Sequence, residues 1–312
     1  MLRLQSSWLL EAVGEIGGVD SIFFPCFHRF SALSWLSRKE ITLYLNSPID
    51  SQAMLARAWL SNRDGGFSEK NLKKFNQVIK KPLELEMNPF KIWKERLFTS
   101  QQLDYLFYWR EAAYEIDDEK QREIFWATVY QILSYWLTNK DFAGRQILEP
   151  DQIMAFCIEQ HRSFVKGRTG RIEISNIALD ELAVDRNPLV AFPLLFDDEE
   201  TQETELQTVF HAWFHGHADL EQARRDIKNC LRRYLISFEK APDYSTFVRL
   251  AANADMAVLC WSGRDLPPKL YEQEIVEPMR SAFSSRYNRS RLFFKAVDRS
   301  IDAYDYLLVF HG

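Results

Sequence analysis

The residues best suited to chemistry follow an apolar segment near the middle of the chain. Residues 189–196 are apolar throughout, and Asp197 and Asp198 follow them. A run this short is closed too early for a helix, so it predicts a buried strand that runs out into an acidic loop. A catalytic residue could lie at this junction, and Asp197 is the candidate acid.

Two histidines offer a different chemistry. His211 and His215 are four residues apart on a predicted helix, a spacing that places both imidazoles on one helix face, as metal sites require. No Glu follows the first histidine, as the zinc-protease pattern H-E-x-x-H demands. The sequence therefore favours a cluster of partly exposed histidines at a helix end over a metal site, and we expect no bound metal.

A third candidate is the densest basic stretch of the chain. Arg162, Lys166, Arg168 and Arg171 surround a loop that contains glycine. Such side chains could contact nucleic-acid phosphates, and the simpler interpretation is a solvated basic loop that balances acids elsewhere.

Composition narrows the classes of function. The chain has 312 residues, is 46% hydrophobic and carries a net charge of −5, which argues against broad, non-specific binding to nucleic acid. Its four cysteines are far apart without a C-x-x-C pair, so we expect reduced thiols and a cytoplasmic protein. No stretch approaches ~18 consecutive apolar residues, so we expect no association with a membrane.

The elements that must position these residues alternate between strands and helices. This alternation predicts a doubly wound α/β fold. We expect residues 1–64 and 169–312 to form the core, and residues 65–168, which are mostly helical and rich in aromatic side chains, to form an insertion. Strands are predicted at 21–24, 40–45, 171–174, 189–196, 234–238, 256–261, 291–297 and 306–310, and helices include 49–60, 109–114, 122–137, 206–213, 220–231 and 271–283.

Several segments, in order, resemble the Dam-type family of adenine-N6 DNA methyltransferases. The family's first strand ends in a pattern like E-P-F-x-G-x-G-S, and residues 24–31 here read FPCFHRFS, with Pro25 in place. The family's second strand ends in an acid or amide near the ribose of S-adenosylmethionine, where this chain has Asn46. The last segment, residues 304–310, resembles the family's last strand.

The resemblance implies a class-I methyltransferase-like, Rossmann-like sheet in which the functional motifs have degenerated. His28 and Phe30 stand at the two glycine positions of the cofactor loop, where bulky side chains should fill the cofactor space. Pro25, His28, Phe30 and Asn46 are therefore expected to be a vestigial cofactor site. The family's D-P-P-Y or N-P-P-Y loop corresponds to Pro193, Leu194, Leu195 and Phe196, of which only Phe196 keeps the aromatic role.

Three hypotheses for function follow. The first, which we favour, is a catalytically inactive methyltransferase-like protein that serves as a binding or scaffold subunit for a protein partner, with no cofactor. The second is an active but divergent DNA adenine methyltransferase that uses S-adenosylmethionine with Asn46, Phe196 and Asp197. The third is a non-catalytic DNA-binding module that uses the insertion and the basic loop.

Overall fold

A computed structural model describes most of the chain and divides it into two compact units. The described residues are 19–27, 40–61, 68, 88–139, 152, 155, 158–159, 170–184, 187–196, 202–232, 234–236, 244–263, 272–298 and 303–312. One unit, the sheet unit, comprises residues 1–53, 167–198 and 230–312, and the other, the helical unit, comprises residues 54–166 and 199–229. Two segments that the sequence analysis assigned to the core, residues 54–64 and 199–229, thus belong to the helical unit.

The sheet unit contains a seven-stranded mixed sheet. Its strands lie in the order β3-β2-β1-β4-β7-β9-β8, and a separate two-stranded sheet pairs β5 with β6. The strands are β1 (Ser21–Phe24), β2 (Thr42–Asn46), β3 (Ile172–Ser175), β4 (Asn187–Pro193), β5 (Leu195–Phe196), β6 (Leu235–Ile236), β7 (Ala254–Gly263), β8 (Arg289–Asp298) and β9 (Ala303–His311).

Parallel pairing joins the first five strands of that order. β1 pairs in parallel with both β2 and β4, β2 with β3, and β4 with β7. β9 then pairs antiparallel with β7 and with β8. The mixed α/β architecture that the alternation predicted is therefore present, and it is compatible with a Rossmann-like fold.

Burial explains why the middle strand forms. In β4, the side chains of Leu189, Val190, Ala191 and Phe192 are all 0% exposed. A strand that is buried on both faces consists of consecutive apolar residues, as is usual for parallel strands inside α/β sheets. This is the run that the sequence analysis predicted to be a buried strand, and β4 occupies the middle position of the seven.

The helices of the two units follow from ordinary helix signals. α1 (Asp50–Ala56) continues as a π-helical turn, Arg57–Ser61, and α2 (Ser100–Tyr114) begins with a capping box between Thr99 and Gln102. The others are α3 (Glu119–Asn139), α4 (Gln202–His215), α5 (Leu220–Leu231), α6 (Ser245–Ala251) and α7 (Glu277–Phe283), with a 3-10 turn at Pro89–Trp93 and a π-helical turn at Glu272–Val276 before α7.

Aromatic packing holds the helical unit together. The rings of Trp109 in α2 and Trp136 in α3 stack at 5.8 Å, and Trp126 in α3 meets Phe214 in α4 edge-on at 4.8 Å. The indole N–H of Trp213 donates to the carbonyl oxygen of Leu106 at 2.8 Å. Large rings each bury much apolar area, so these contacts are a main source of stability in the core of the unit.

The structure differs from the predicted elements in several places. The predicted strand at 189–196 is divided into β4 and β5, α2 begins nine residues before the predicted helix at 109–114, and the sequence analysis missed α6, whose seven residues are too short for a clear helical period. Of the predicted strand at 234–238, Leu235 and Ile236 form β6, and residues 237 and 238 lie outside the described residues. Among the described residues, no helix has the length and apolar character needed to cross a membrane.

Candidate functional site

The sheet topology identifies where a ligand would bind. In the sheet, β2 and then β3 lie on one side of β1, and β4 lies on its other side. The direction in which successive strands are added therefore reverses at β1. In open α/β sheets, ligands bind beyond the carboxyl ends of the strands at such a reversal. The candidate site is therefore bounded by the residues at the carboxyl ends of β1, β2 and β4, which include Pro25, Asn46 and Pro193.

Asn46, at the end of β2, is fully engaged with the protein itself. Its Nδ2 donates to the carbonyl oxygens of Pro25 at 2.9 Å and Ile177 at 3.0 Å. Its Oδ1 accepts from the Ser175 hydroxyl at 2.8 Å and from the Ile177 N–H at 3.0 Å. A side-chain amide has two donor hydrogens and two acceptor lone pairs, so all four positions are used. Asn46 therefore has no hydrogen-bonding capacity left for a ribose.

These bonds join the carboxyl ends of three neighbouring strands. Asn46 is 0% exposed, and it links the loop after β1 to the loop after β3. The Phe27 N–H also donates to the Asn46 carbonyl oxygen at 3.1 Å, and Asn176 donates to the Ser47 carbonyl oxygen at 2.7 Å. The arrangement is a structural clamp, in which the amide supports the loops rather than facing a ligand.

In the described part of the loop after β1, two side chains are buried. Cys26 is 0% exposed and Phe27 is 1% exposed. Burial, with a smaller contribution from Cys230, raises the pKa of the Cys26 thiol far above its ordinary value, so the thiol stays protonated and is a poor nucleophile. His28 and Phe30, which the sequence analysis placed at the glycine positions of this loop, lie outside the described residues.

The end of β4 is extended where a catalytic loop was expected. Pro193 aligns with Cys260 of β7, and the Leu194 N–H donates to the Cys260 carbonyl oxygen at 2.8 Å. Leu195 and Phe196 then form β5, which pairs in parallel with β6. All four candidate catalytic positions thus lie in or between strands. Asp197 and Asp198 lie outside the described residues.

An aromatic cluster that the sequence analysis did not identify lies beside this strand end. The ring of Phe247 in α6 is 5.4 Å from Phe192 in β4 and 5.1 Å from Tyr234, which directly precedes β6. The only available signal was the spacing of Phe247, Leu250 and Ala251, which is helical but brief. These rings fill space on the sheet with apolar atoms.

Tyr234 is the unusual member of that cluster. Its side chain is 0% exposed, and its hydroxyl has no hydrogen-bond partner in the structure. Burial raises the pKa of the phenol well above its ordinary value, and the thiols of Cys26 and Cys260 raise it further. The phenol therefore stays neutral at any physiological pH, so it can serve neither as a base nor as a nucleophile.

Of the four basic candidates, Arg171 lies within the described residues. Arg162, Lys166 and Arg168 lie outside the described residues. Arg171 directly precedes β3, so it lies at the amino end of the strand, away from the carboxyl ends that bound the candidate site. Its exposed guanidinium pairs with Glu173 at 2.7 Å.

The two histidines of α4 do lie together. The ring centroids of His211, which is buried, and His215, which is exposed, are 4.4 Å apart, and His217 stacks on His215 at 6.2 Å. Gly216 ends the helix with φ +76°, and a Cβ at that position would lie 2.1 Å from Nη2 of Arg110. Zinc sites use three or four protein ligands, so this pair of imidazoles does not by itself assign a metal.

No protein-family model matches this chain, and a comparison with curated proteins finds no match either. The chemistry of the site must therefore be judged from its geometry.

Proposed function

We propose that this protein is a methyltransferase-like protein that no longer transfers methyl groups and that serves as a binding or scaffold subunit for a protein partner. The strand order supports the fold assignment. Strands β3-β2-β1-β4-β7 repeat the 3-2-1-4-5 order of doubly wound nucleotide-binding sheets. An antiparallel strand, here β9, inserted beside the fifth strand is the arrangement of class-I methyltransferase sheets.

The observation that carries the proposal is the saturation of Asn46. In the resembling family, the residue at the end of the second strand meets the ribose of S-adenosylmethionine. Here its side-chain amide makes four hydrogen bonds within the protein and is fully buried. Binding a ribose would require breaking at least one of these bonds, which would leave a buried polar group unpaired at a cost of about 1–3 kcal/mol.

The end of β4 supports the loss of catalysis. Transfer to the adenine amine needs a side-chain acceptor for the amine and a rigid loop that holds the base. Pro193 and Leu194 have no polar side-chain atom, and the backbone from Pro193 to Phe196 is extended between strands. Neither the acceptor nor the loop geometry is therefore provided by these positions.

A methyl-transfer assay tests the proposal. The purified protein is incubated with radiolabelled S-adenosylmethionine and DNA that contains unmethylated adenine, and label in the DNA is counted. We expect no incorporation above a protein-free control. Incorporation that depends on the protein would contradict the proposal.

A double substitution separates a filled pocket from an absent one. His28→Gly with Phe30→Gly removes the two bulky side chains from the loop where the family has glycines. If only these side chains block the cofactor, the double variant should bind S-adenosylmethionine while still failing to methylate DNA, because the end of β4 is unchanged. Methylation by this variant would show that the positions after β4 are competent after all.

A further inference from the structure

The outer strand of the sheet is a long edge. β8 runs for ten residues, Arg289–Asp298, and lies at the end of the strand order, where it pairs with β9 on one side. No strand among the described residues pairs with its other side. An edge of this kind presents a row of unpaired N–H and C=O groups that can accept an added strand.

The exposed side chains of β8 include two large aromatic rings. Phe293 is 45% exposed and Phe294 is 53% exposed. Phe294 ends a row of rings that crosses the sheet: Trp261 of β7 stacks on Tyr306 of β9 at 5.3 Å, and Tyr306 lies 6.3 Å from Phe294. Trp261 and Tyr306 are buried, so the row begins in the core and ends on an exposed ring at the edge. An apolar side chain on an added strand would continue it.

The charged side chains of β8 determine which kind of strand can pair with it. Arg289, Arg291 and Lys295 are exposed and alternate along β8 on one face, and none of them forms an ion pair within the part of the chain that the structure describes. A second copy of β8 would bring cations against cations, and like charges on paired strands are destabilising. An acidic strand would instead bring opposite charges together.

We propose that β8 is a docking edge that takes an extended acidic segment of a partner protein as an additional strand. Backbone hydrogen bonds to β8 would hold the segment, its acidic side chains would meet Arg291 and Lys295, and an apolar side chain would cover Phe294. The inference rests on the proposed binding role of the protein, since it names the class of partner for that role.

A synthetic peptide with Glu at alternate positions, and Val or Tyr between them, tests this edge. Binding of the fluorescently labelled peptide to the full chain is measured by polarisation. A second peptide of the same sequence carries N-methyl groups on alternate backbone amides, which keeps the charge and blocks strand pairing. We expect the unmethylated peptide to bind and the methylated one to bind at least roughly tenfold more weakly, because main-chain bonds supply most of the affinity. Equal binding of the two peptides, or no binding of either at millimolar concentration, would overturn the proposal.

Charge-reversal variants locate the binding site. Arg291→Glu with Lys295→Glu should weaken binding of the unmethylated peptide by roughly tenfold or more. Arg171→Glu reverses an exposed cation beside the opposite edge of the sheet and should leave binding unchanged. Circular dichroism of each variant checks folding. An equal loss of peptide affinity in the control variant would show that binding depends on the net charge of the protein and not on β8.

Two further measurements keep the proposals separable. Light scattering of the free protein should give a monomer at all concentrations. Dimers that Lys295→Glu strengthens, because it replaces a like-charge contact between paired edges with an opposite-charge one, would assign the edge to a second copy instead. Binding of S-adenosylmethionine by the same preparation would contradict the proposed function and leave the peptide result to decide the edge by itself. If this preparation binds neither the peptide nor S-adenosylmethionine, the docking edge is rejected and the proposed function is not.

Discussion

At the scale of single residues, the account depends on Asn46, which has the chemistry of a ligand-binding residue and the environment of a structural one. A polar side chain at the end of the second strand is what a cofactor site would need. Its four hydrogen bonds show that loop support is the role it fulfils in this chain. The same residue type at the same position can therefore serve either purpose, and only the identity of its partners decides between them.

Replacement of this residue by an acid distinguishes the two roles. Asn46→Asp turns two donors into an acceptor that faces the carbonyl oxygens of Pro25 and Ile177. We expect a loss of about 2–4 kcal/mol in the free energy of unfolding, measured by urea denaturation. The matched control is Asn176→Asp, at an exposed residue beside Ser47, which should cost much less. A stable Asn46→Asp variant that gains affinity for S-adenosylmethionine would contradict the structural role.

Removal of the Tyr234 hydroxyl, unlike the change at Asn46, is not expected to lower the unfolding free energy. This buried hydroxyl has no hydrogen-bond partner among the residues that the structure describes, so Tyr234→Phe should leave the unfolding free energy unchanged or raise it by up to about 1 kcal/mol, because a buried unpaired polar group is removed. The control is Tyr287→Phe, where the hydroxyl lies 2.9 Å from the Ala251 carbonyl oxygen and its loss should destabilise. Thermal melts of both variants compare them. Destabilisation by Tyr234→Phe equal to that of the control would mean that the Tyr234 hydroxyl is bonded.

Glu123 in α3 gives the helical unit a pH dependence. Burial raises the pKa of Glu123 above its usual value of 4.5, although the hydrogen bond and charge of Arg57 lower it in part. Folding therefore favours the protonated carboxyl group. This contribution is complete below the unfolded pKa and is lost as the pH rises through the folded pKa.

A glutamine variant isolates this effect. As the pH rises from about 4.5 towards neutrality, the unfolding free energy of the native protein should fall relative to that of Glu123→Gln. Denaturant titrations at several pH values measure it. A difference that is constant over this range, or that shifts in favour of the native protein, would contradict the inferred direction of the pKa shift.

At the scale of elements, the main finding is that the strand at the centre of the sheet does not end in a loop. β4 leads through Leu194 directly into β5, and hydrogen bonds to β7 and pairing with β6 hold this path. A catalytic loop at this point would need a different backbone path, because the chain already continues from β4 into β5.

A proline at position 194 tests this interpretation. Leu194→Pro removes the N–H that donates to the Cys260 carbonyl oxygen. We expect it to lower the unfolding free energy by roughly 3 kcal/mol, as proline does where it deletes a backbone hydrogen bond. Leu194→Met, which keeps the bond and most of the buried volume, should cost less than about 1.5 kcal/mol. If both variants unfold at the same denaturant concentration, this extended connection is not an important part of the fold.

The elements themselves were largely predictable, and their partners were not. The short apolar run of β4 and the β-branched and aromatic residues of β2 carry local signals for strands, and both segments are extended, although the predicted strand at 189–196 is divided into β4 and β5. The partners of Asn46 at the end of β3 and in the loop after it are 129 and 131 residues away along the chain. No local pattern encodes such a contact, so the sequence could suggest a ligand role for Asn46 but could not reveal the clamp.

At the scale of the whole molecule, the same limit explains the division of the chain. The predicted insertion ended near residue 168, yet residues 199–229 also belong to the helical unit. Pairs such as Tyr130 with Phe210, at 5.1 Å, hold them there. Helical periodicity identified α4 and α5 as helices, but the choice of the unit against which each helix packs depends on the shapes of distant aromatic side chains.

The seven-stranded sheet has a strand order compatible with a Rossmann-like fold, and at the carboxyl ends of β1, β2 and β3 residues bond to one another. We propose that this site does not accept S-adenosylmethionine. Calorimetric titration of the purified protein with S-adenosylmethionine, repeated with S-adenosylhomocysteine, decides this. We predict no binding of either compound at millimolar concentration. Binding of either one in the micromolar range would contradict the account, and it would show that the clamp around Asn46 opens to admit the cofactor.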